Sequence, residues 1–305
     1  MYDIIGDIHG CAAELKALLK QLGYEKQGSV WKHPERKALF LGDLINRGKG
    51  VAKTLSIVRN MHEAGEAEVI LGNHEFNLIA WNTPNKTGGF LRPHNKHNLK
   101  QLRTTLADFS GREEELNSYI NWIKTLPLYF ENDDFRAIHA CWDFNYIEAI
   151  RKGEMPKNLS DVAFLEQSVI PFTPEFDFIE CLLKGVEYKL PNNQQFIDND
   201  GNRRTFVRLK WWEAAHTNQL KKLAFQSNMF QEHEIIPQWK HDQIPQYSTS
   251  EKPLFLGHYC MGKQPVHLLQ SNMMCLDYCV YKTGRLTAYR MNNEMLNVNR
   301  VVQLS

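Results

Sequence analysis

Near the N-terminus, three short apolar runs each stop at a glycine followed by side chains that bind metals well. This repeated punctuation is the feature that most restricts the fold. Residues 2–5 end in Gly6-Asp7-Ile8-His9-Gly10, residues 38–41 in Gly42-Asp43-Leu44-Ile45-Asn46-Arg47-Gly48, and residues 68–71 in Gly72-Asn73-His74-Glu75. Between them, residues 12–22, 51–61 and 75–81 carry apolar side chains at helical spacing. Strand–helix–strand alternation predicts an α/β sheet with covering helices. In such a sheet the loops at the carboxyl ends of the strands converge on one crevice. Asp7, His9, Asp43, Asn73 and His74 are therefore expected to face one another, with glycines permitting the tight turns.

Downstream the pattern loosens. Residues 82–98 (NTPNKTGGFLRPHNKHN) read as a long loop, and 99–126 as two helices. Together they form an expected insertion at about 82–126. Residues 128–130 and 135–138 predict a hairpin around Asn132-Asp133-Asp134. The region at about 156–245 assigns poorly, with turns expected at Pro191-Asn192-Asn193 and Asp198–Gly201. Residues 254–256, 273–276 and 286–290 return as strands. Two of the late strands also end in histidine: His139 follows Arg136-Ala137-Ile138, and His258 follows Leu254-Phe255-Leu256-Gly257. No linker divides the chain, so residues 1–305 are read as one domain.

Asp and Asn offer oxygen and His offers nitrogen, a donor set suited to manganese, iron or zinc more than to calcium. A shared carboxylate can hold two such ions about 3.5–4 Å apart, which clamps a phosphoryl group and lowers the pKa of a bound water. Taken singly, each residue has a plainer reading, since an Asp after a strand often caps the next helix. The plain reading weakens when five such motifs occur in order.

The ordered strings GDIHG, GDLINRG and GNHE, with His139 and His258, resemble the calcineurin-like metallophosphoesterase superfamily. Within it they resemble the serine/threonine protein phosphatase and bacterial symmetrical diadenosine tetraphosphatase branch. The likeness to the tetraphosphatases extends to IKTLPL, LGH and LDYCVYKTGRLTAYR. The resemblance implies an α/β/β/α sandwich of two mixed sheets flanked by helices. It also implies two divalent or transition-metal ions, manganese first, with iron and zinc as alternatives. Asp7 and His9 would hold one ion, Asp43 would bridge, and Asn73, His139 and His258 would hold the other. Catalysis would be attack of a metal-bound water on phosphorus. His74 would protonate the leaving oxygen, and Arg47 would grip phosphate oxygens. The expected reaction is phosphomonoester hydrolysis on a phosphoprotein or small molecule. Symmetrical dinucleoside tetraphosphate hydrolysis is the alternative, and a non-catalytic phosphate-binding module is a distant third. Asn46 stands where the protein-phosphatase branch usually has an aspartate supporting the histidine. That departure favours the nucleotide alternative, whereas LDYC departs from the tetraphosphatases' LDTG-like string.

Outside the motifs, Arg203, Arg204 and Arg208 form a basic cluster before Trp211-Trp212. Arg208 is the best candidate there for a second phosphate clamp; solvated strand-edge arginines are the plain alternative. His94 and His97 are spaced like ligands but lie in a polar loop. With 36 basic against 35 acidic side chains, the chain lacks the electrostatic footprint of a nucleic-acid binder; the partner that the resemblance implies is a phosphorylated protein or nucleotide. The six cysteines, with no CxxC pair, read as buried reduced thiols and predict a cytoplasmic protein. No apolar run is long enough to span a bilayer.

Overall fold

The computed structural model describes residues 1–191, 194–197, 203–225 and 227–304. The turns expected at Asn192-Asn193 and Asp198–Gly201 lie outside the described residues. The first third runs β1 (Tyr2–Ile5), α1 (Ala12–Gln21), β2 (Glu25–Gln27), β3 (Val30–Lys32), β4 (Lys37–Phe40), α2 (Val51–Glu63), β5 (Ala67–Val69) and α3 (Asn73–Asn82). Next come α4 (Lys96–Asp108), α5 (Glu113–Lys124), β6 (Tyr129–Glu131), β7 (Arg136–Ile138), α6 (Phe144–Arg151), α7 (Val162–Gln167) and α8 (Pro174–Lys184). The middle holds β8 (Glu187–Lys189), β9 (Phe196–Ile197), β10 (Arg203–Arg204), β11 (Phe206–Arg208), α9 (Leu220–Leu223) and α10 (Gln238–His241). The chain closes with β12 (Leu254–Leu256), β13 (Met273–Cys275), α11 (Val280–Thr283), β14 (Thr287–Met291) and β15 (Val301–Gln303).

One sheet has the order β15-β14-β1-β4-β5 and the other β13-β12-β7-β6. Both are mixed. β1, β4 and β5 run parallel, while β14 pairs antiparallel with both β1 and β15. β7, β12 and β13 run parallel while β6 is antiparallel. Side chains alternate across a strand, and the two faces of each sheet are both buried. Ile4, Leu39, Tyr289 and Met291 of the first sheet meet Phe135, Ala137, Phe255 and Met274 of the second in one apolar layer. Their neighbours Ile5, Ala38 and Phe40 turn instead toward Leu15, Leu18 and Leu19 of α1 and Leu55 and Val58 of α2. Ile138 and Leu254 likewise join Ile147 of α6 and Leu182 and Leu183 of α8. The result is the expected α/β/β/α sandwich. Each large aliphatic or aromatic side chain buried in these layers contributes about 1.5–3 kcal/mol.

The short antiparallel hairpin β2–β3 and the edge strand β15 carry too little apolar alternation to be read from sequence. Expected and observed boundaries differ modestly elsewhere: α4 begins at Lys96 inside the expected loop, because Asn95 caps it by accepting the Asn98 N–H. In the middle region β8 pairs antiparallel with β11.

The cysteines correct one expectation. Cys260 and Cys279 are joined in a disulfide, with Cα atoms 5.2 Å apart. Cys275 is free and buried, and its thiol donates to the carbonyls of Gly257 and Tyr259. Proximity across two strand-end loops, rather than spacing in the chain, makes the pair.

Candidate dimetal site

The loops after β1, β4, β5, β7 and β12 meet at one end of the paired sheets. The backbone there is bent hard to bring side chains together. His9, Asp43, Asn46, Arg47 and His258 all have positive φ, between 48° and 68°, conformations that non-glycine residues adopt at a cost of order 1–3 kcal/mol each. Glycines let the loops touch. A side chain on Gly42 would strike the backbone of Gly72 at 2.5 Å, and one on Gly257 would strike the Asp7 carboxylate.

Asp43 lies at the centre. Its Oδ2 is 3.6 Å from His9 Nε2 and 3.9 Å from His74 Nε2, and its Oδ1 is 3.5 Å from His139 Nε2. Among the described residues, potential ligand atoms gather into one group of His9, Asp43 and His74 and another of Asp43, His139 and His258. Asn73 joins the second: its Oδ1 is 3.1 Å from His139 Nε2 and 2.9 Å from His258 Nδ1. Asp7 falls outside both groups, its carboxylate accepting the His258 backbone N–H at 3.1 and 3.3 Å. The far ring nitrogens are fixed by carbonyls: His9 Nδ1 lies 3.1 Å from Ile45 O, and His139 Nδ1 2.7 Å from Leu41 O. Such outer hydrogen bonds orient imidazoles for coordination.

Charge in this pocket is unbalanced. Asp7, Asp43, Glu75 and Asp277 are all at most 4% exposed. Burial, with Asp277 and Asp43 nearby, pushes the Asp7 carboxyl well above its usual range. Burial also works against charge on Asp43, but the rings of His74, His139 and His9 around it hold it well below the usual carboxylate range. Burial and the neighbouring Arg208 and His139 depress His258, whose buried Nε2 has no hydrogen-bond partner among the described residues. Buried acids need compensating positive charge. Nitrogen and oxygen donors facing a common centre, beside carboxylates short of counter-charge, fit a pair of transition-metal ions.

His74 opens α3 and stands at the rim of this centre. Burial, with His9, Arg47 and His139 around it, pushes its ring down to about 3 despite the opposing pull of Asp43, so the imidazole is neutral at ordinary pH. Asn46 Nδ2 lies 2.7 Å from His74 Nδ1, while Asn46 Oδ1 accepts from the Thr105 hydroxyl at 2.6 Å. An amide oriented in this way donates to Nδ1 and leaves the proton on Nε2.

Arg47 lies at the open side with its guanidinium 5.1 Å from the centre of the Tyr281 ring. Arg208 ends β11 half-buried near His258, and among the described residues its Nε has no hydrogen-bond partner. The rest of the basic cluster separates from it: Arg203 and Arg204 are exposed on β10, paired with β9. His94 and His97 join neither ligand group. His94 stacks between Trp81 at 3.6 Å and Phe90 at 4.1 Å, a packing role.

Sequence reasoning missed three residues of the site. Glu75 accepts the backbone N–H groups of Gly72, Asp43, Leu44 and Ile45, tying the second motif loop to the start of α3. Its place three residues after Gly72, the N-cap, was the available signal. Asp277 lies in LDYC, where only its neighbours drew attention. Thr105 is one polar residue on an amphipathic helix, and nothing in the chain marks it.

The calcineurin-like phosphoesterase family model matches residues 2–281, and the chain belongs to that family. It is 25% identical to the symmetrical bis(5'-nucleosyl)-tetraphosphatase of Vibrio campbellii over 96% of each chain. To that of a Marinomonas strain it is 31% identical over 52% of each. To the asymmetrical bis(5'-nucleosyl)-tetraphosphatase of Bacillus velezensis it is 33% identical over 46% of this chain and 55% of the other. With the Marinomonas and Bacillus proteins the match spans about half of the relative's length. A Saccharomyces cerevisiae protein serine/threonine phosphatase superposes with a TM-score of 0.50 at 14% identity, over 99% of this chain and 78% of its own, which is a likeness of fold. Among the described residues no helix is long and apolar enough to cross a membrane.

Proposed function

We propose that the protein hydrolyses a phosphoanhydride bond of a dinucleoside polyphosphate, of the bis(5'-nucleosyl) tetraphosphate class. The observation that carries this reading is Asn46 at 2.7 Å from His74 Nδ1. An amide leaves His74 a neutral hydrogen-bond donor, whereas an aspartate there would favour the imidazolium. A polyphosphate leaving group needs less protonation than the alkoxide of a phosphoserine, so a neutral donor suits it. The relatives support the same choice, above all the Vibrio protein matched from end to end. This reading takes precedence over phosphomonoester hydrolysis.

In this proposal Asp43 would be shared by two ions, His139, His258 and Asn73 would hold one, and His9 and Asp7 would hold the other. When bound, the ions supply a clamp on phosphoryl oxygens and a nucleophile from water at neutral pH. The chain's own groups do the rest. Asp43 keeps its negative charge between the two donor groups. The His74 Nε2–H points into the site and donates to the departing phosphate oxygen, while Asn46, braced by Thr105, holds the opposite ring nitrogen. Arg47 and Arg208 present guanidinium forks to phosphate oxygens from two sides. Manganese is the proposed metal. The segment at 82–126 is proposed as a wall selecting substrates, and support comes from α4, which reaches the site through Thr105.

The test sets manganese-reconstituted protein against diadenosine tetraphosphate, a phosphopeptide and an aryl phosphate in parallel. The highest kcat/KM is expected for the dinucleotide. A higher value for the phosphopeptide would overturn the substrate class and return the phosphatase reading.

A further inference from the structure

Arg47 is exposed, and among the described residues its guanidinium makes no hydrogen bond or ion pair. Arg47 and the preceding Asn46 both occupy the left-handed region, with φ of 64° and 68°. Two adjacent non-glycine residues in that region cost energy, so the turn that aims Arg47 is held by its surroundings. What meets the guanidinium is the face of Tyr281, 5.1 Å from ring centre to guanidinium carbon. An edge-on contact places the same ring 5.4 Å from the ring of His9. Tyr281 therefore contacts both the Arg47 guanidinium and a ring of the candidate metal site.

The short turn α11 that carries Tyr281 is itself fastened at several points. Asp277 accepts the Cys279 N–H at 2.8 Å, and the Thr283 hydroxyl donates to Tyr278 O at 2.7 Å. The disulfide from Cys279 to Cys260 ties the turn to the loop of His258. A half-buried ring on a pinned turn is a rigid rest for a long, otherwise free side chain. Freezing an arginine in advance lowers the entropy lost when it binds phosphate.

We propose that Tyr281 is a positioning residue for phosphate recognition: its ring holds the Arg47 guanidinium over the site in a binding-ready pose. The proposal rests on the reading of Arg47 as a phosphate ligand, and a double-mutant cycle separates the two. Inorganic phosphate binding to the manganese-loaded protein is measured by calorimetry for wild type, Arg47→Ala, Tyr281→Leu, Tyr281→Phe and the double variant Arg47→Ala/Tyr281→Leu, with metal content determined for each. Tyr281→Leu is expected to weaken phosphate binding about 2- to 30-fold, the span of a cation–π contact from exposed to desolvated settings. Tyr281→Phe keeps the ring face and should restore most of that loss. In the Arg47→Ala background, Tyr281→Leu should have no further effect. A full-sized effect of Tyr281→Leu without Arg47, or loss of metal in Tyr281→Leu, would overturn the proposal and place the ring's action on the cage through His9. If Arg47→Ala leaves phosphate affinity unchanged, the reading of Arg47 is what fails. If Arg47→Ala weakens binding and Tyr281→Leu does not, the positioning role alone fails.

Discussion

Glu75 offers the most quantitative test of how this site is held together. Its Oε2 accepts the N–H groups of Asp43 at 2.8 Å and Gly72 at 3.1 Å, and its Oε1 those of Leu44 at 2.9 Å and Ile45 at 3.3 Å. The side chain is fully buried, so Glu75→Ala strands four backbone donors that water cannot reach without reopening the loop. Each stranded donor costs about 1–3 kcal/mol. Partial relaxation brings the sum to roughly 3–5 kcal/mol, the upper range for single substitutions. At about 2 °C per kcal/mol for a chain of this size, Tm should fall by roughly 6–10 °C. Burial and the Asp43 charge raise the Glu75 carboxyl from 4.5 to about 7. The folded protein therefore holds this proton more tightly than the unfolded chain does. Without metal, the group makes the protein less stable as pH rises from about 4.5 through about 7. Glu75→Gln should flatten that part of the profile. The assay is thermal unfolding of metal-free wild type and both variants across this pH range. A Tm for Glu75→Ala within a degree or so of wild type would show that the four N–H groups have other partners and refute the brace.

Asp43→Asn removes the shared charge of both ligand groups and should lose bound metal together with activity, read by elemental analysis and turnover; retention of both would sink the assignment of Asp43 as the bridge. His74→Asn should instead keep its metal and lose rate, and metal loss would make His74 a ligand. Asn46→Asp places a carboxylate at His74 Nδ1, which stabilises the imidazolium and raises its pKa from about 3. A His74-linked limb of the pH–rate profile should then move upward into the assay range, and an unmoved profile would reject the Asn46–His74 coupling. Chelation should lower Tm, since buried Asp7, Asp43 and Asp277 lose their counter-charge; equal melting of metal-loaded and chelated protein would argue against a metal at this centre.

The sequence by itself determined the α/β sheet with covering helices and the convergence of the first three motif loops, because both follow from local pattern; the second sheet of the sandwich came from the family resemblance. Apolar runs ending in glycine and a polar ligand mark strand ends whatever lies between them, so Asp7, His9, Asp43 and Asn73 were legible directly, while His139 and His258 were marked by their order and strand context. The tertiary structure decided what depends on contacts between distant segments. Glu75 read as one more helix-start acid until the loop after β4 laid its N–H groups on it. Thr105 came to Asn46 from a helix 59 residues away, and Tyr281 came under Arg47 from near the other end of the chain. The partnership of Cys260 with Cys279 reversed the reading of two thiols for the same reason. Such pairings carry no periodicity, because a side chain that braces another needs only the right place in space, and the fold alone supplies that.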